Sequence, residues 1–445
     1  MLFRMSRDKA QLFSYFFFIS FAGAALLCMP WAYSSGHPAR FIDALFISVS
    51  AVCVTGLSTL NMNLFSPAGF IVIMALIETG GLGIITFVSM YLVIPRKKVS
   101  LVNRSMISDF YIDDVEFEPR RILRNIITLT VALELLSAFI LFFCFKNAGS
   151  SRPFLDAIFH SVSAFCNAGF STYNDSLAGF MGQPILLIVV LTLIVLGGIG
   201  FMVITDVIER LSNRKTRLSL HTKIVLITTF GLIFGGTLCF FLLEGDASMK
   251  GFSIPDRILA SLFQSITPRT AGFEVVSGKS MTLVSRTITI ILMFIGGSPG
   301  SIAGGIKTTT FFIVFLYAIR GNAERGGINV MKRNIDTGAL EKALGIIIKS
   351  LMIVVVAILA LLISESGSVA RGVCSELDLV FETVSAFGTV GLSLGATPNL
   401  TDAGKIIIIC TMFIGRTGIF AMALGSVRRE RERYFEYPSA NIMVG

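Results

Sequence analysis

Residues 41–57 read FIDALFISVSAVCVTGL, an apolar segment with small polar residues that ends in a glycine turn. Related segments follow at 154–170, FLDAIFHSVSAFCNAGF, and at 377–392, LDLVFETVSAFGTVGL. A looser copy at 262–273, LFQSITPRTAGF, is one residue shorter before its glycine. The same segment therefore occurs four times along the chain, and this internal repeat decides the fold class.

Each copy predicts a short apolar helix followed by a glycine turn. A helix of about three turns, at 1.5 Å per residue, is too short to cross a bilayer. Each copy also lies between two segments that are long enough to cross. This arrangement is typical of a re-entrant loop, which is tolerated at membrane depth only where it is buried in protein or lines a water-filled path.

The composition indicates a membrane protein with several spans. Of the 445 residues, 54% are hydrophobic and 15% are charged, and the mean hydropathy is +0.79. Soluble domains rarely reach this apolarity. We expect an all-α chain in which four fused units of span, pore loop and span surround a pseudo-fourfold axis. The eight predicted spans are 11–34, 68–95, 122–145, 183–208, 222–244, 283–319 (interrupted), 344–365 and 404–426.

The charge distribution predicts the orientation in the membrane. Most of the 37 Lys and Arg residues lie in connections on the side opposite the re-entrant loops, so the positive-inside rule places both termini in the cytoplasm. The net charge of +9 then reflects topology and contact with anionic lipid. Nucleic acid is a poor alternative partner, because no basic module is large enough to read it. The predicted divisions are a cytosolic N-terminus at 1–10, repeats at 11–98, 120–212, 221–322 and 340–426, and a cytosolic tail at 427–445.

The second helix of each unit carries a glycine cluster. Close packing of helices in lipid accounts for the first two clusters, Gly80-Gly81-Leu82-Gly83 and Gly197-Gly198-Ile199-Gly200. A dinucleotide fingerprint is a poor interpretation, since no strand precedes these glycines. The third cluster, 296–310, combines a proline, five glycines and a lysine, so an unbroken helix is improbable there. A broken span with an irregular middle is typical of a transport site.

The four loops predict a cation filter made of backbone carbonyls. A dehydrated cation needs several oxygen ligands, and extended loops supply carbonyl oxygens that point inward. One glycine per loop relieves the strain, because a positive φ costs glycine little. The helix before each loop directs its negative end toward the axis. The alternative is that the loops only plug the core of a transporter.

The loops resemble the pore loops of potassium channels, whose filter reads Thr-Val-Gly-Tyr-Gly. The alignment places one glycine of each copy at the first filter glycine, and the second filter glycine is missing in all four. The whole chain resembles the Trk/Ktr/HKT superfamily of potassium transporters, and most closely the membrane subunit of the Ktr system. The implied filter residues are Val54, Thr55, Gly56, Leu57, Asn167, Ala168, Gly169, Phe170, Thr270, Ala271, Gly272, Phe273, Thr389, Val390, Gly391 and Leu392.

The resemblance also implies selectivity, a gate and partners. A serine at the position of Gly56 accompanies sodium transport in that family, so Gly56 implies a preference for potassium. The implied gate is the intramembrane loop 296–310 with Arg416 beside the pore. The implied partners are a second copy of the chain and a cytosolic ring of nucleotide-binding regulatory subunits, with potassium as the transported ion and no cofactor in this chain. The predicted gate residues are Gly296, Gly297, Gly300, Gly304, Gly305, Lys307 and Arg416.

Two of these gate residues have other interpretations. Arg416 is alternatively a buried packing residue whose donors satisfy exposed carbonyls of the broken helix. Lys307 is alternatively a lysine that extends its ammonium group to the cytoplasmic surface. The repulsion between a fixed charge and a cation supports the gating interpretation of Arg416, since it amounts to about 2 kcal/mol at roughly 8 Å and an effective dielectric constant of about 20.

Several other polar residues are candidates for local roles. His160 and Glu382 are expected to make hydrogen bonds on the pore helices, and Arg269 to brace the filter from behind. Glu78 and Glu134 are intramembrane carboxylates and thus functional candidates without a nameable partner. Asp43, Asp156 and Asp378 start the pore helices and are expected to cap them.

The sequence therefore predicts a potassium uptake protein of the plasma membrane. An enzyme is disfavoured, because no nucleophile–base pair, metal cluster or phosphate-binding loop is recognisable. The seven cysteines show no CxxC pairing, which argues against a disulfide framework or a zinc site. The principal alternative is an alternating-access transporter coupled to Na⁺ or H⁺. An intramembrane enzyme or a scaffold is a further alternative.

Overall fold

A computed structural model of the chain describes residues 7–34, 36, 39–83, 119–213, 217–320 and 327–418. Helices dominate these residues. The first half contains α1 (Arg7–Leu27), α2 (Phe41–Val52), α3 (Pro67–Gly81), α4 (Pro119–Asn147), α5 (Pro153–Phe165), α6 (Pro184–Ile199) and α7 (Phe201–Ser212). The second half contains α8 (Leu220–Leu243), α9 (Ile254–Ile266), α10 (Leu283–Phe294), α11 (Thr308–Arg320), β1 (Ile328–Val330), β2 (Arg333–Ile335), α12 (Thr337–Ser364), α13 (Ser366–Ala370), α14 (Glu376–Gly388) and α15 (Asp402–Phe413).

The four short helices α2, α5, α9 and α14 are those predicted by the repeated segment. The helices α2, α5 and α9 each pack against the helix before them, and α14 packs against α12. The helices α2, α5 and α14 also pack closely against the helix after them. Buried serines attach three of them to the preceding helix. Ser48 donates to the Ser20 carbonyl, Ser161 to the Glu134 carbonyl and Ser265 to the Ile233 carbonyl, at 2.7, 2.7 and 2.8 Å. Hydroxyl-to-carbonyl bonds of this kind fix a short helix at a set depth in an apolar core.

The described part of the chain contains three helices long and apolar enough to cross a membrane unaided. These stretches are Leu123–Asn147, Leu220–Leu243 and Thr337–Ser364. Shorter apolar helices of 10–17 residues include Phe13–Leu27, Pro67–Gly81 and the pair Leu283–Phe294 and Thr308–Arg320. The predicted second and eighth spans continue into 84–118 and 419–445, outside the described residues. The eight-span arrangement therefore stays a prediction.

The predicted span at 183–208 is interrupted by a bend, which the sequence did not indicate. The helices α6 and α7 together pass the length and composition test, but they bend by 102° at a break. Gly200 occupies the break with φ 99°, and a methyl group on it would lie 2.7 Å from the Pro299 carbonyl oxygen. The segment after α10 therefore fills the space that a straight helix would need.

A β-hairpin between α11 and α12 corrects the prediction of an all-α chain. The antiparallel strands β1 and β2 pair Ile328 with Ile335 and Val330 with Arg333. Met331 and Lys332 join them with φ of 47° and 66°. Two consecutive positive φ values are typical of a tight two-residue hairpin turn, although glycine and asparagine are the usual residues there.

Helices from opposite ends of the described chain, α2 and α15, meet at a seam. Lys405 on α15 donates to Asp43 on α2 at 2.6 Å, and both side chains are buried, at 8% and 9% exposure. Arg40 and Asp402 pair at the exposed edge of the same contact. The helices α15 and α2 thus pack together although 362 residues separate the buried partners.

The aspartates at the starts of the short helices α2, α5 and α14 have different partners. Asp378 completes a capping box with Ser375, as a cap would. Asp43 lies in the first turn and pairs with Lys405 instead. Asp156, also in the first turn, accepts bonds from Thr172 at 2.8 Å and from the Tyr173 hydroxyl at 2.7 Å. The expectation of three equivalent caps is therefore wrong for Asp43 and Asp156.

Candidate functional site

The four loop glycines form a closed ring. A methyl group added to any of them would collide with the carbonyl oxygen of the residue before the next loop's glycine. The four distances are 2.4 Å from Gly56 to Ala168, 2.7 Å from Gly169 to Ala271, 2.2 Å from Gly272 to Val390 and 2.1 Å from Gly391 to Thr55. The last approach returns to the first loop, so the order along the chain is also the order around the ring.

The loop backbones share an uncommon conformation. All four glycines have positive φ, at 96°, 70°, 73° and 95°. The residue two positions before each glycine is also left-handed, with φ 56° at Val54, 57° at Asn167, 73° at Thr270 and 51° at Thr389. Such a conformation is strained for β-branched residues such as valine and threonine. Strain repeated at one position in four loops indicates a functional constraint.

Hydroxyl groups hold the loops in two different ways. In the first and fourth loops, Ser50 and Ser385 accept from the N–H of the loop glycine, at 3.0 and 3.1 Å. In the second and third loops, Ser163 and Thr267 donate to the carbonyl after the glycine, at 2.7 and 2.6 Å. The first and fourth loops are therefore held at a backbone N–H, whereas the second and third loops are held at a backbone carbonyl oxygen.

A polar residue on the short helix before the loop holds the segment that follows the ring in three copies. His160 contacts the Ser171 hydroxyl at 2.9 Å through Nε2, and its Nδ1 lies 2.7 Å from the Asp156 carbonyl. Glu382 accepts from the hydroxyls of Ser393 and Thr397. His160 and Glu382 therefore make local hydrogen bonds, as expected, and their partners include residues that follow the ring.

Gln264 completes this set and was missed by the sequence analysis. Its amide donates to the Val276 carbonyl at 2.8 Å. Counting back from the loop glycine would have found it, once the one-residue deletion in the third copy is allowed for. The first copy has Ile47 at the corresponding position and forms no such bond through its apolar side chain.

Arg269 lies behind the third loop, buried at 8% exposure. It makes two long contacts of 3.5 Å to Thr229 on α8. It also borders a cavity of about 10 Å³ with Gly198 and Gly297, which has room for about one water molecule. Arg269 thus lies close to both the end of α6, at Gly198, and the irregular segment after α10, at Gly297.

The predicted gate segment is irregular between α10 and α11, from residue 295 to residue 307. Its backbone bonds to the break between α6 and α7. Ser298 donates to the Gly198 carbonyl at 2.9 Å, and Phe201 donates to the Gly300 carbonyl at 3.1 Å. The segment is therefore held by the glycine cluster of the second repeat.

Glycines allow the gate segment to fold tightly beneath the ring. A methyl group on Gly296 would lie 2.0 Å from the Gly304 carbonyl, and one on Gly297 would lie 2.4 Å from the Ala303 methyl group. A methyl group on Gly304 would lie 2.1 Å from the hydroxyl of Thr389, a ring residue. The turns at Gly300 and Gly305 have φ of 70° and 65°. The segment thus contacts the fourth loop directly.

Arg416 joins the predicted gate segment to α3. Its guanidinium donates to the Ile302 carbonyl, to the Gly80 carbonyl at 2.9 Å and to the Gly81 carbonyl at 3.3 Å. The side chain is buried at 5% exposure. These contacts fit the alternative to gating, in which the donors of a buried Arg416 satisfy carbonyl oxygens. They also link the segment to α3.

Lys307 folds back onto its own segment. Its ammonium group donates to the Ala303 carbonyl at 2.6 Å, and the side chain is partly buried. The gating role and the surface-directed role of Lys307 both stay predictions. The bond to Ala303 stabilises the turn that ends where α11 begins.

Comparisons with known proteins identify the relatives of this chain. A family model described as TrkH, cation transport protein, matches residues 3–437. The potassium/sodium uptake protein NtpJ of Enterococcus hirae is 36% identical over 436 residues, which cover 97% of this chain and 95% of that protein. The Ktr system potassium uptake protein B of Bacillus subtilis is 37% identical over 434 residues, with 97% and 95% coverage. The family resemblance drawn from the loops is thereby confirmed.

A solved structure shares the fold. The crystal structure of the potassium transporter TrkH from Vibrio parahaemolyticus matches with a TM-score of 0.73 at 19% identity. The match covers 94% of this chain and 84% of that chain. At that identity the likeness establishes the fold alone.

Proposed function

The chain belongs to the TrkH family of cation transport proteins, and from this premise we propose that it takes up potassium ions across the plasma membrane through one central pore. The observation that carries the proposal is the closed ring of four glycines, each adjoining the carbonyl that precedes the next. Relatives named for potassium uptake at 36% and 37% identity support the choice of ion.

Backbone oxygens are the proposed ligands of the ion. None of the residues 54–57, 167–170, 270–273 and 389–392 is charged, so these stretches offer a dehydrated cation neutral oxygens rather than carboxylates. Carbonyl oxygens replace the hydration shell of a monovalent cation. The C-terminal ends of α2, α5 and α14 carry partial negative charge, which favours a cation near the ring. In this proposal the carbonyls of Thr55, Ala168, Ala271 and Val390 contribute to the filter.

The segment 295–307 and Arg416 are the proposed gate. The segment touches Thr389 of the ring, and Arg416 holds it against Gly80 and Gly81 of α3. A guanidinium at roughly 8 Å from a cation opposes its passage by about 2 kcal/mol at an effective dielectric constant of about 20. Opening then consists of withdrawing both the segment and the charge from the ion path.

Regulation and assembly are also part of the proposal. Relatives named as potassium uptake protein B of a Ktr system support a partner from the same system, which we propose is cytosolic and binds a nucleotide. We place its contact on the basic connections and the tail, which fall largely in 84–118, 321–326 and 419–445, outside the described residues. A homodimer with both termini in the cytoplasm and a surrounding lipid bilayer completes the proposed assembly.

Coupled transport is the second candidate. Glu78 and Glu134 lie together at a site beside the gate, and one relative is named for both potassium and sodium. Uptake of rubidium or potassium into liposomes containing the purified chain separates the two candidates. A selective pore predicts downhill uptake without sodium, which excess potassium blocks and sodium blocks weakly. Strict dependence on a second ion would favour coupling, and no cation flux even with the regulator and nucleotide present would overturn the proposal.

A further inference from the structure

Two acidic residues and a cysteine converge beneath the second loop. Glu78 lies on α3, Glu134 on α4 and Cys166 at the end of α5. One ligand atom from each lies within 4.8 Å of the others. The Cys166 Sγ is 3.4 Å from Glu78 Oε2. Three separate helices thus bring potential metal ligands to one point.

Glu134 is incompletely satisfied at this point. Its side chain is 9% exposed, and its Oε1 has no hydrogen-bond partner in the described part of the chain. A buried carboxylate oxygen without a partner costs free energy unless a ligand or a proton compensates it. Glu78 is only partly buried, so the group is open on one side.

The geometry and the donor types fit a tetrahedral transition-metal ion. Zinc bonds of about 2.3 Å to sulfur and 2.0 Å to oxygen place those two atoms about 3.5 Å apart in a tetrahedron. The observed separation of Sγ and Oε2 is close to this value. A thiolate favours zinc or cadmium over magnesium, calcium or potassium. We propose that Glu78, Glu134 and Cys166 bind a zinc-like divalent ion, with solvent as a fourth ligand, and that the bound ion restrains the gate.

The location explains why a bound ion would act on the gate. A methyl group on Gly81 would lie 2.9 Å from Cys166 Sγ and 3.2 Å from a methyl carbon of Ile302. Gly80 and Gly81 supply the carbonyls that receive Arg416. An ion that ties α3 and α4 to the second loop therefore immobilises the acceptors that hold the gate segment. We expect bound metal to lower cation flux.

Cys53 provides a matched control. It stands three residues before Gly56, as Cys166 stands three residues before Gly169, and both cysteines are buried at the ends of pore helices. Among the described residues, the only group of three such ligands within this distance is the one that contains Cys166. Cys53 instead belongs to an apolar cluster, against which Phe413 packs.

Cadmium is the probe, because its bond to a thiolate gives a charge-transfer band in the ultraviolet. The full-length chain is first prepared with Cys28, Cys239, Cys374 and Cys410 replaced by serine, which removes the exposed and half-buried thiols. Cadmium titration of this background should give the thiolate band at one equivalent. Cys166→Ser should abolish the band, Glu134→Gln should weaken cadmium binding at least tenfold, and Cys53→Ser should retain both band and affinity. Binding should strengthen as pH rises, because the ligands lose protons.

The optical and flux readouts test different halves of the inference. A band that survives Cys166→Ser, or that Cys53→Ser removes instead, would overturn the site. If Cys166→Ser does not fold, unchanged cadmium affinity in Glu134→Gln would overturn it equally. The effect on flux rests on the proposed transport function, whereas cadmium binding does not. In the cysteine-depleted background, cadmium should reduce potassium uptake severalfold and a chelator should restore it. Uptake that is unaffected while the band is present would refute the link to the gate.

Discussion

The four loop glycines are alike in conformation and contacts, whereas the four residues that lie three positions before them differ from copy to copy. In the ring, all four copies have glycine, positive φ and an adjoining carbonyl from the next loop. Three residues earlier the copies hold Cys53, Cys166, Arg269 and Gly388. Each of these has its own surroundings, including acidic side chains at Cys166 and the Met293 carbonyl at Gly388. The comparison teaches that the proposed ion-binding layer is the same in all four copies, whereas the layer next to the proposed gate differs from copy to copy.

Arg416→Ala tests the proposed gate next to the layer that differs between copies and should have the largest effect. Removing the guanidinium frees the carbonyls of Ile302 and Gly80 and takes a positive charge from the proposed ion path. If the charge lies at the barrier, about 2 kcal/mol of repulsion corresponds to roughly 30-fold in basal flux. The measurement is potassium uptake into liposomes without the regulator.

Arg416→Lys is the matched control for this variant. It keeps the charge but cannot reproduce the forked contacts of the guanidinium. Lysine should therefore leave flux well below that of the alanine variant. A folded Arg416→Ala protein that conducts no faster than the parent would show that Arg416 only packs.

Gly56→Ser tests the layer that is the same in all four copies and should change selectivity. The glycine has φ 96°, and a side-chain atom would lie 2.4 Å from the Ala168 oxygen. A left-handed conformation costs other residues about 1–2 kcal/mol, and 1.4 kcal/mol is about tenfold in an equilibrium constant. We expect the preference for potassium over sodium to fall by roughly tenfold. Competition between the two ions for uptake measures it.

Gly235→Ser on α8 controls for the substitution itself. Nothing lies within 4 Å of a methyl group added there. This variant should select potassium as the parent does. An unchanged ion preference in Gly56→Ser would remove Gly56 from the filter.

Ser163→Ala and Ser50→Ala sharpen the comparison within the ring and should have the smallest effects. Ser163 fixes the Phe170 carbonyl, whereas Ser50 receives the Gly56 N–H. Loss of one hydrogen bond costs about 1 kcal/mol, or about fivefold in an equilibrium constant. Ser163→Ala should weaken potassium affinity by that factor, because it frees a carbonyl, and Ser50→Ala should alter affinity less. Equal effects on apparent affinity would contradict the distinction between the two kinds of loop.

The sequence was sufficient for the parts of the molecule that repeat. The short helices α2, α5, α9 and α14 follow from a pattern seen four times, and a motif confined to a few residues identified the family. The copies could be aligned because each glycine is required by a close backbone approach that tolerates no side chain.

The parts that do not repeat were harder to predict. The bend at Gly200 depends on the Pro299 carbonyl, which is distant in sequence and carries no local signal. Asp43 looked like its counterpart Asp378, but a lysine from the last repeat determines its role. Glu78 and Glu134 had no predicted partner, because the residue they both approach is a cysteine at the end of a third helix. Tertiary contacts of this kind are invisible to periodicity and spacing.

The seam between Asp43 and Lys405 has a consequence for biosynthesis. A buried carboxylate that lacks its cation is costly, and here the cation lies 362 residues further along the chain. At about 5–20 residues per second, Lys405 emerges from the ribosome roughly 20 to 70 seconds after Asp43. The first repeat thus enters the bilayer in an unfinished state and is completed by the last. A nascent chain that stops before α15 leaves an acidic residue without its partner, which would mark it for quality control as incomplete.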